Sequence, residues 1–311
     1  GIAEEDTVFS VAKLFFAYGL GNALSFPFHV GATAVLMAER PTPESILARL
    51  RAERPSIFYG VPTLYAALLA RDDLPTGAEI GLRRCVSAGE ALPADLGRRW
   101  RERVRVDILD GIGSTEMLHI FISAAPGDVR YGTTGKPVPG YEARIVDEHG
   151  EDAPQGKVGD LLIAGPSGAG EYWNNRAKSL ATFEGRWTRT GDKYSRDEDG
   201  YYVYAGRSDD MLKVGGIYVS PFEVEGALIG HPAVLEAAVV GHKDENGLVK
   251  PKAVVVPQAG TVGDDALAEA LKDHVKASLA PFKYPRWIEF AEALPKTATG
   301  KVQRFKLRSD D

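Results

Sequence analysis

The sequence predicts an α/β protein: a mostly parallel strand–helix sheet, a small barrel-like β-rich part after it, and a smaller α+β unit at the end. Three observations predict this. Residues 34–110 alternate short apolar runs with helical patterns, residues 130–206 set short strands among frequent glycines, and the pattern changes again after Asp209. With 311 residues the chain is also too long for one ordinary core, so more than one domain is expected.

The elements follow in order. An amphipathic segment opens the chain. Ala34-Val-Leu-Met-Ala reads as a short strand. Thr42-Pro43-Glu44 then starts a helix, with a capping hydroxyl, a proline in the first turn and an acid beside it, and Ile46, Leu47 and Leu50 form its apolar face. Ser56-Ile-Phe-Tyr-Gly60 is the next strand and Pro62 opens the next helix. Arg84-Cys-Val-Ser87, a helix over 93–103 and Val106-Asp-Ile-Leu109 repeat the unit. Such alternation argues for a parallel sheet, whose ligands sit outside the carboxyl ends of its strands. The loops Ser87-Ala-Gly-Glu90 and Asp110-Gly-Ile-Gly-Ser-Thr-Glu116 are therefore the places to look for a site. Farther on, Glu142-Ala-Arg-Ile-Val, Asp160-Leu-Leu-Ile-Ala and Tyr201-Tyr-Val-Tyr read as a small antiparallel sheet or barrel. The last unit has a helix near Pro221, strands over 236–240 and 253–256, a helix over 264–278 and a strand over 287–290. The charged turn Arg207-Ser-Asp-Asp210 separates it from the rest.

Composition narrows the function. The 44% hydrophobic and 26% charged residues are those of an ordinary water-soluble globular protein. The single cysteine, Cys85, excludes an internal disulfide and fits a cytoplasmic setting. No apolar run approaches bilayer-spanning length, so no membrane association is expected. A net charge of −6 argues against nucleic acid as a partner. Charge is uneven, however: Lys283, Arg286, Lys296, Lys301, Arg304, Lys306 and Arg308 face only Glu289 and Glu292 between them. That segment suggests a small polyanionic ligand, although a solvated charged tail accounts for the same residues. The opening Gly1-Ile-Ala-Glu-Glu-Asp lacks a Met and is acidic, so the chain reads as a fragment with no secretory signal.

Four stretches carry residue types suited to phosphate and ribose chemistry. In Gly111-Ile-Gly-Ser-Thr-Glu116, glycines permit close backbone approach to a phosphate, hydroxyls donate to it and the acid can hold a divalent cation; a plain turn has the same composition. Arg189-Thr-Gly-Asp192 presents a carboxylate after a tight turn, suited to two vicinal ribose hydroxyls or simply to a surface turn. Gly206-Arg207-Ser-Asp209-Asp210-Met-Leu-Lys213-Val-Gly215-Gly216 offers an arginine for phosphate or ribose, and a glycine pair that implies unusual backbone angles or close approach. Leu294-Pro-Lys-Thr-Ala-Thr-Gly-Lys301-Val-Gln-Arg304 delivers a lysine from a loop that Pro295 and Gly300 keep from being helical.

Taken in series with Ser87-Ala-Gly-Glu90 and Gly159-Asp-Leu-Leu-Ile, these stretches resemble the motifs of the adenylate-forming superfamily of acyl- and aryl-CoA synthetases, luciferases and peptide-synthetase adenylation domains. The resemblance spans nearly the whole chain. Lys13-Leu-Phe-Phe-Ala-Tyr-Gly-Leu-Gly-Asn22 and the run from Met211 to Glu225 are most similar to benzoate-CoA ligases. The resemblance implies that residues 1–208 are the C-terminal portion of a large adenylate- and acid-binding domain, with 1–129 α/β and 130–208 β-rich, and that 209–311 form a mobile catalytic lid. It implies activation of benzoate or a related aromatic carboxylate by ATP with Mg2+, then transfer to coenzyme A. By position it assigns Thr115 to the phosphate, Glu116 to Mg2+, Gly89 and Glu90 to the adenine side, and Asp110 and Gly111 to nucleotide binding. Asp192 is assigned to the ribose with Arg207 assisting, Asp209 to the hinge, and Gly215 and Gly216 to the pantetheine channel. Lys301 is assigned to adenylation and Lys213 to the second half-reaction. Ala17, Tyr18, Gly113, His119 and Ile120 are the expected acid pocket, with ordinary core packing as the alternative for the aromatic residues and a structural donor for His119. A homodimer is the assembly the resemblance allows. Two departures stand out. Ile112 occupies a place that is often aromatic in the family, and the pyrophosphate loop expected upstream of Gly1 has no counterpart. Loading of a carrier protein, or nucleotide binding without catalysis, are the competing readings.

Overall fold

The computed structural model describes residues 1–214, 217–297 and 302–308. The chain divides into two compact units: Gly1–Thr190 with Tyr194–Tyr204, and Gly191–Lys193 with Ala205–Asp311.

The first unit is built on a seven-stranded sheet. Its strands are β1 (Thr7–Ser10), β2 (Thr33–Val35), β3 (Ile57–Gly60), β4 (Arg84–Ser87), β5 (Ile108–Gly113), β6 (Ile120–Ser123) and β7 (Lys136–Pro137), ordered β2-β1-β3-β4-β5-β6-β7. The pairs from β2 to β5 are parallel, and β6 and β7 add antiparallel strands at the β5 edge. Side chains alternate across this sheet. Phe9, Phe58, Cys85 and Ile108 join the larger core with α3 (Pro43–Glu53), α4 (Pro62–Leu69) and α6 (Ala94–Val104), whereas Val8, Ile57, Tyr59 and Val86 form a smaller cluster on which Tyr18 and Ile120 pack. That second cluster is the floor under the candidate site.

Local signals account for the helices. Thr42 caps α3: its Oγ1 accepts from Ser45 N–H at 3.2 Å, while Ser45 Oγ accepts from Thr42 N–H at 3.0 Å. Pro62 opens α4, where its missing N–H costs nothing. Two short helices, α1 (Ala17–Leu20) and α2 (Phe26–Val30), flank a π-helical turn over Gly21–Ser25, and α5 (Gly77–Ile80) is a single turn. The opening differs from the sequence expectation. Residues 7–10 form a central parallel strand rather than an amphipathic segment, because Val8, Phe9 and Ser10 are covered on both faces.

The β-rich part contains β8 (Glu142–Val146), β9 (Gly159–Ala164), α7 (Arg176–Thr182), β10 (Phe183–Glu184), β11 (Trp187–Arg196) and β12 (Tyr202–Arg207), with strand order β10-β11-β9-β8 and β12 on β11. Met117, Phe121, Ile145, Leu161, Ile163 and Tyr194 supply its core. The division between the two units falls within β11 and β12.

The second unit has a hairpin, β13 (Leu212–Val214) with β14 (Ile217–Val219), then α8 (Pro221–Ile229), β15 (Val234–Lys243), β16 (Val249–Pro257), α9 (Asp265–Ser278) and β17 (Trp287–Phe290). β15 and β16 are antiparallel, and β17 joins β16 in parallel. Helices α8 and α9 are capped by Ser220 and Asp264, and they close one face over Val224, Leu228, Val239, Val255 and Leu271. Among the described residues no helix is long and apolar enough to cross a membrane.

The basic C-terminal segment differs most from expectation. Its cations pair with acids far back in the chain: Lys283 with Glu223 (2.6 Å), Lys296 with Glu236 (2.6 Å), Arg304 with Glu225 (2.8 Å) and Arg308 with Asp210 (2.6 Å). Arg286 lies over the Tyr284 ring at 4.0 Å. Counting only neighbours in sequence hid these partners: four of the seven cations meet carboxylates, while Lys301 lies outside the described residues.

Candidate active site

In the first unit the site gathers at the carboxyl ends of β3, β4 and β5. Strand β5 runs on through Gly113, so Asp110, Gly111 and Gly113 are strand residues rather than part of a loop. Pairing with β6 causes this, with a register shift between Ile112 and Gly113. The glycines are there for space. A Cβ on Gly113 would meet the His119 carbonyl oxygen at 2.4 Å, and one on Gly111 would meet Ile120 Cδ1 at 2.9 Å. Across the end of β4, Gly89 takes a φ of +96°, a backbone conformation L side chains rarely adopt, while Glu90 follows half-buried.

Asp110 ties these two strand ends together. Its Oδ2 accepts from Leu92 N–H at 3.4 Å, and the residue is 6% exposed. Burial pushes its carboxyl up to about 8, against the opposing pull of the Leu92 and Gly111 N–H groups.

Beyond β5 the chain turns. Leu118 N–H donates to the Thr115 carbonyl at 3.1 Å, and Leu118 adopts a positive φ of 68°. Thr115 is exposed and Glu116 half-buried. Glu116 Oε1 accepts from the Tyr172 hydroxyl at 2.6 Å. Burial pushes the Glu116 carboxyl up, but Tyr172, its own backbone N–H, Ser114 and Lys178 outweigh that and leave it lowered.

Beside this turn lies an aromatic cluster. The Tyr18 hydroxyl donates toward the Gly60 and Val86 carbonyls, at 3.2 and 3.3 Å, so its ring lies across the ends of β3 and β4. His119 stacks on Tyr18 with centroids 5.6 Å apart and meets Phe26 edge-on at 4.6 Å. Burial lowers its pKa to about 4, so the ring is neutral. His119 Nε2 is 3.3 Å from the Tyr18 carbonyl oxygen, which can only accept. The proton therefore sits on Nε2 and leaves Nδ1 as an acceptor. Gly113 and Ile120 adjoin His119, and Ala17 starts the helix that carries Tyr18. Gly21 permits the approach, since its Cβ would lie 2.4 Å from His119 Cδ2.

The second unit holds Asp192, Arg207 and Asp209 together. Asp192 lies within the ten-residue strand β11 and is 8% exposed, not on a surface turn. Arg207 Nη1 reaches Asp192 Oδ1 at 3.3 Å, and its Nε lies 3.5 Å from Asp209 Oδ1. Gly191, at φ +76°, makes room: a Cβ there would sit 2.9 Å from Arg207 Nη2. Lys213 is exposed, with Nζ 5.8 Å from the Tyr218 ring centre across the hairpin. Gly215, Gly216 and Lys301 lie outside the described residues. In the segments on either side of Lys301, Lys296 and Val302 form an antiparallel bridge, and Gln303 N–H donates to the Pro295 carbonyl at 2.8 Å.

Among the described residues no group of three or more His, Cys, Asp or Glu side chains converges to hold a metal ion. The single Glu116 carboxylate fits Mg2+ all the same, because that ion is commonly held by one or two carboxylates together with substrate phosphates. Tyr172 escaped the sequence reading; 56 residues separate it from Glu116, and nothing local to it marks a partner.

The family model described as "AMP-binding enzyme" matches residues 1–173, and the one described as "AMP-binding enzyme C-terminal domain" matches 223–301. The chain belongs to the AMP-binding enzyme family. Similar members include a benzoate–CoA ligase of Thauera aromatica, 67% identical across 99% of this chain and 59% of that protein. A 4-hydroxybenzoate–CoA/benzoate–CoA ligase of Rhodopseudomonas palustris is 52% identical across 99% of this chain and 58% of its own length. Among solved AMP-binding structures, a benzoate CoA ligase from Burkholderia xenovorans LB400 superposes with a TM-score of 0.95 at 62% identity, covering 99% of this chain and 62% of that one. The chain thus spans somewhat under two thirds of the length of the relatives it matches.

Proposed function

We propose that the protein activates benzoate, or a closely related aromatic carboxylate, with ATP and then passes the acyl group to coenzyme A. The observation that carries this reading is the cluster of Tyr18, Gly113, His119 and Ile120 beside the Thr115–Glu116 turn, whose stacked rings and neutral imidazole we read as the wall of a slot for the acid. The 67% identity to a benzoate–CoA ligase supports the aryl class.

In the first step a carboxylate oxygen of the acid attacks the α-phosphorus of ATP. The P–O bond to the β-phosphate breaks, and pyrophosphate leaves with the electron pair. Thr115 donates to the phosphate, and Lys301 stabilises charge on the α-phosphate and the carboxylate together. Bound at Glu116, Mg2+ would neutralise phosphate charge. Gly89 and Glu90 line the adenine, Asp110 and Gly111 belong to the same nucleotide site, and Asp192, steadied by Arg207, accepts from the ribose hydroxyls. In the second step the coenzyme A thiolate attacks the acyl carbon and AMP leaves. Lys213 serves this step, Gly215 and Gly216 admit the pantetheine arm, and Asp209 is the hinge between a 1–208 domain and a 209–311 domain. The single buried Cys85 suits the cytoplasm.

The test is benzoate-dependent ATP–pyrophosphate exchange in the protein at its natural length. Lys301→Ala should lower exchange about 10²–10³-fold, as for loss of one preorganised donor. Gly216→Leu should spare exchange and block thioester formation. Exchange that survives Lys301→Ala would overturn the assignment of that lysine.

A further inference from the structure

The loop between β9 and α7 is fastened to the turn that carries Glu116. Ala169 N–H donates to the Glu116 carbonyl at 2.8 Å, and Ser167 Oγ donates to the Met117 carbonyl at 2.8 Å. The Tyr141 hydroxyl in turn lies 2.6 Å from Ser167 Oγ. Tyr172 completes the attachment through a side chain, its hydroxyl donating to Glu116 Oε1 at 2.6 Å. That is the length of a charge-assisted O–H···O⁻ bond. The tyrosine is itself well placed. Its N–H donates to Ser179 Oγ at 2.9 Å, its ring lies 5.2 Å from that of Phe183, and Lys178 Nζ stands 4.3 Å over the ring centre. Backbone contacts alone would hold the loop on the turn. The hydroxyl does something further: it fixes one oxygen of the carboxylate, and so the rotation of the whole group.

We propose that Tyr172 is a positioning residue for Glu116, which turns that carboxylate toward the phosphates of Mg2+-bound ATP. This inference rests on the reading of Glu116 given above. A cation ligand works only while ionised and aimed, and outer partners of such ligands commonly govern metal affinity by 10–100-fold. Tyr172 supplies the orientation, through the 2.6 Å bond to Oε1.

Calorimetric titration of the protein at its natural length tests this with two ligands. Binding of Mg2+–ATP uses Glu116, whereas AMP, which lacks the β- and γ-phosphates, binds through the adenine and ribose contacts. Tyr172→Phe should weaken Mg2+–ATP about 10-fold or more and raise the Mg2+ concentration for half-maximal exchange to a similar degree. AMP affinity and the KM for benzoate should stay within about twofold. Adding Tyr172→Phe to Glu116→Gln should cost nothing beyond Glu116→Gln alone, since both act through one carboxylate. A parallel loss of AMP and Mg2+–ATP binding, with a lowered melting temperature, would mean that Tyr172 is merely structural and would overturn the proposal. So would unchanged Mg2+–ATP binding in Tyr172→Phe while Glu116→Gln weakens it. Should Glu116→Gln itself leave Mg2+–ATP binding intact, the reading of Glu116 fails and this inference with it.

Discussion

Gly113→Ala is the sharpest probe of the aromatic slot. The new methyl would meet three backbone atoms: the His119 carbonyl oxygen at 2.4 Å, the His119 carbonyl carbon at 2.6 Å and the Ile120 nitrogen at 2.7 Å. The shortest of these falls 1.0 Å inside ordinary contact at 3.4 Å. No side chain can rotate away, so β5 and the start of β6 must part where their register already shifts. Overpacking of this kind costs about 1–3 kcal/mol. At about 2 kcal/mol the melting temperature of a unit this size should fall by about 4–8 °C. Moving His119 and Ile120 by about 1 Å displaces one wall of the slot, and a misplacement of that size can cost about 100-fold in rate. Benzoate-dependent exchange should therefore show a reduced kcat/KM for benzoate, by about 10–100-fold, with the KM for ATP much less affected. Scanning calorimetry and the two KM values read both effects. A variant with unchanged melting temperature and unchanged benzoate kinetics would refute the claim that Gly113 is a spacer for the slot.

Two further predictions concern stability. Glu225 is 5% exposed, takes both Arg304 Nη2 contacts (2.9 and 2.8 Å) and also accepts from Val239 N–H at 2.7 Å. Glu225→Gln, which removes the buried carboxylate beside Arg304 while the 3.7 Å contact of Arg304 with Asp210 remains, should cost about 3 kcal/mol in urea unfolding of the second unit, while Glu225→Leu combined with Arg304→Met should cost less than the single change. For pH, Asp110 carries a raised folded pKa (about 8, against 3.8), so its contribution is whole below about pH 4 and is lost as pH rises toward 8. His119 carries a lowered one (about 4, against 6.5), so its contribution is whole above about pH 6.5 and is lost as pH falls toward 4. From pH 4 to 6.5 the two slopes oppose; from 6.5 to 8 only Asp110 acts, at about 1.4 kcal/mol per pH unit. Asp110→Asn should thus gain on the parent as pH rises from 6.5 to 8 in denaturant melts, and a parallel pair of curves would contradict the Asp110 shift.

Much of the architecture was legible because it follows local rules. The strand over 84–87, the helix opened by Thr42 and Pro43, and the helix over 264–278 with its Asp264 cap stand where apolar period and capping chemistry put them. Strand β1 was not legible, since three successive residues buried on both faces carry no alternation to read. Asp192 read as a turn residue because Arg-Thr-Gly-Asp has turn composition; its place in β11 comes from pairing with distant strands.

By itself, then, the sequence determined the fold class, many of the strands and helices, the chemistry-bearing residues and the family resemblance, because these depend on residue type and short spacing. Tertiary structure decided what each charge meets. It paired Lys283, Arg304, Lys296 and Arg308 of the basic tail with Glu223, Glu225, Glu236 and Asp210, and it gave Glu116 its tyrosine. It also decided that His119 is neutral, through burial against Tyr18 and Phe26. The physical reason is common to all three: desolvation and ion pairing depend on distances between residues as far as 56 to 101 positions apart, and only the folded chain sets those distances.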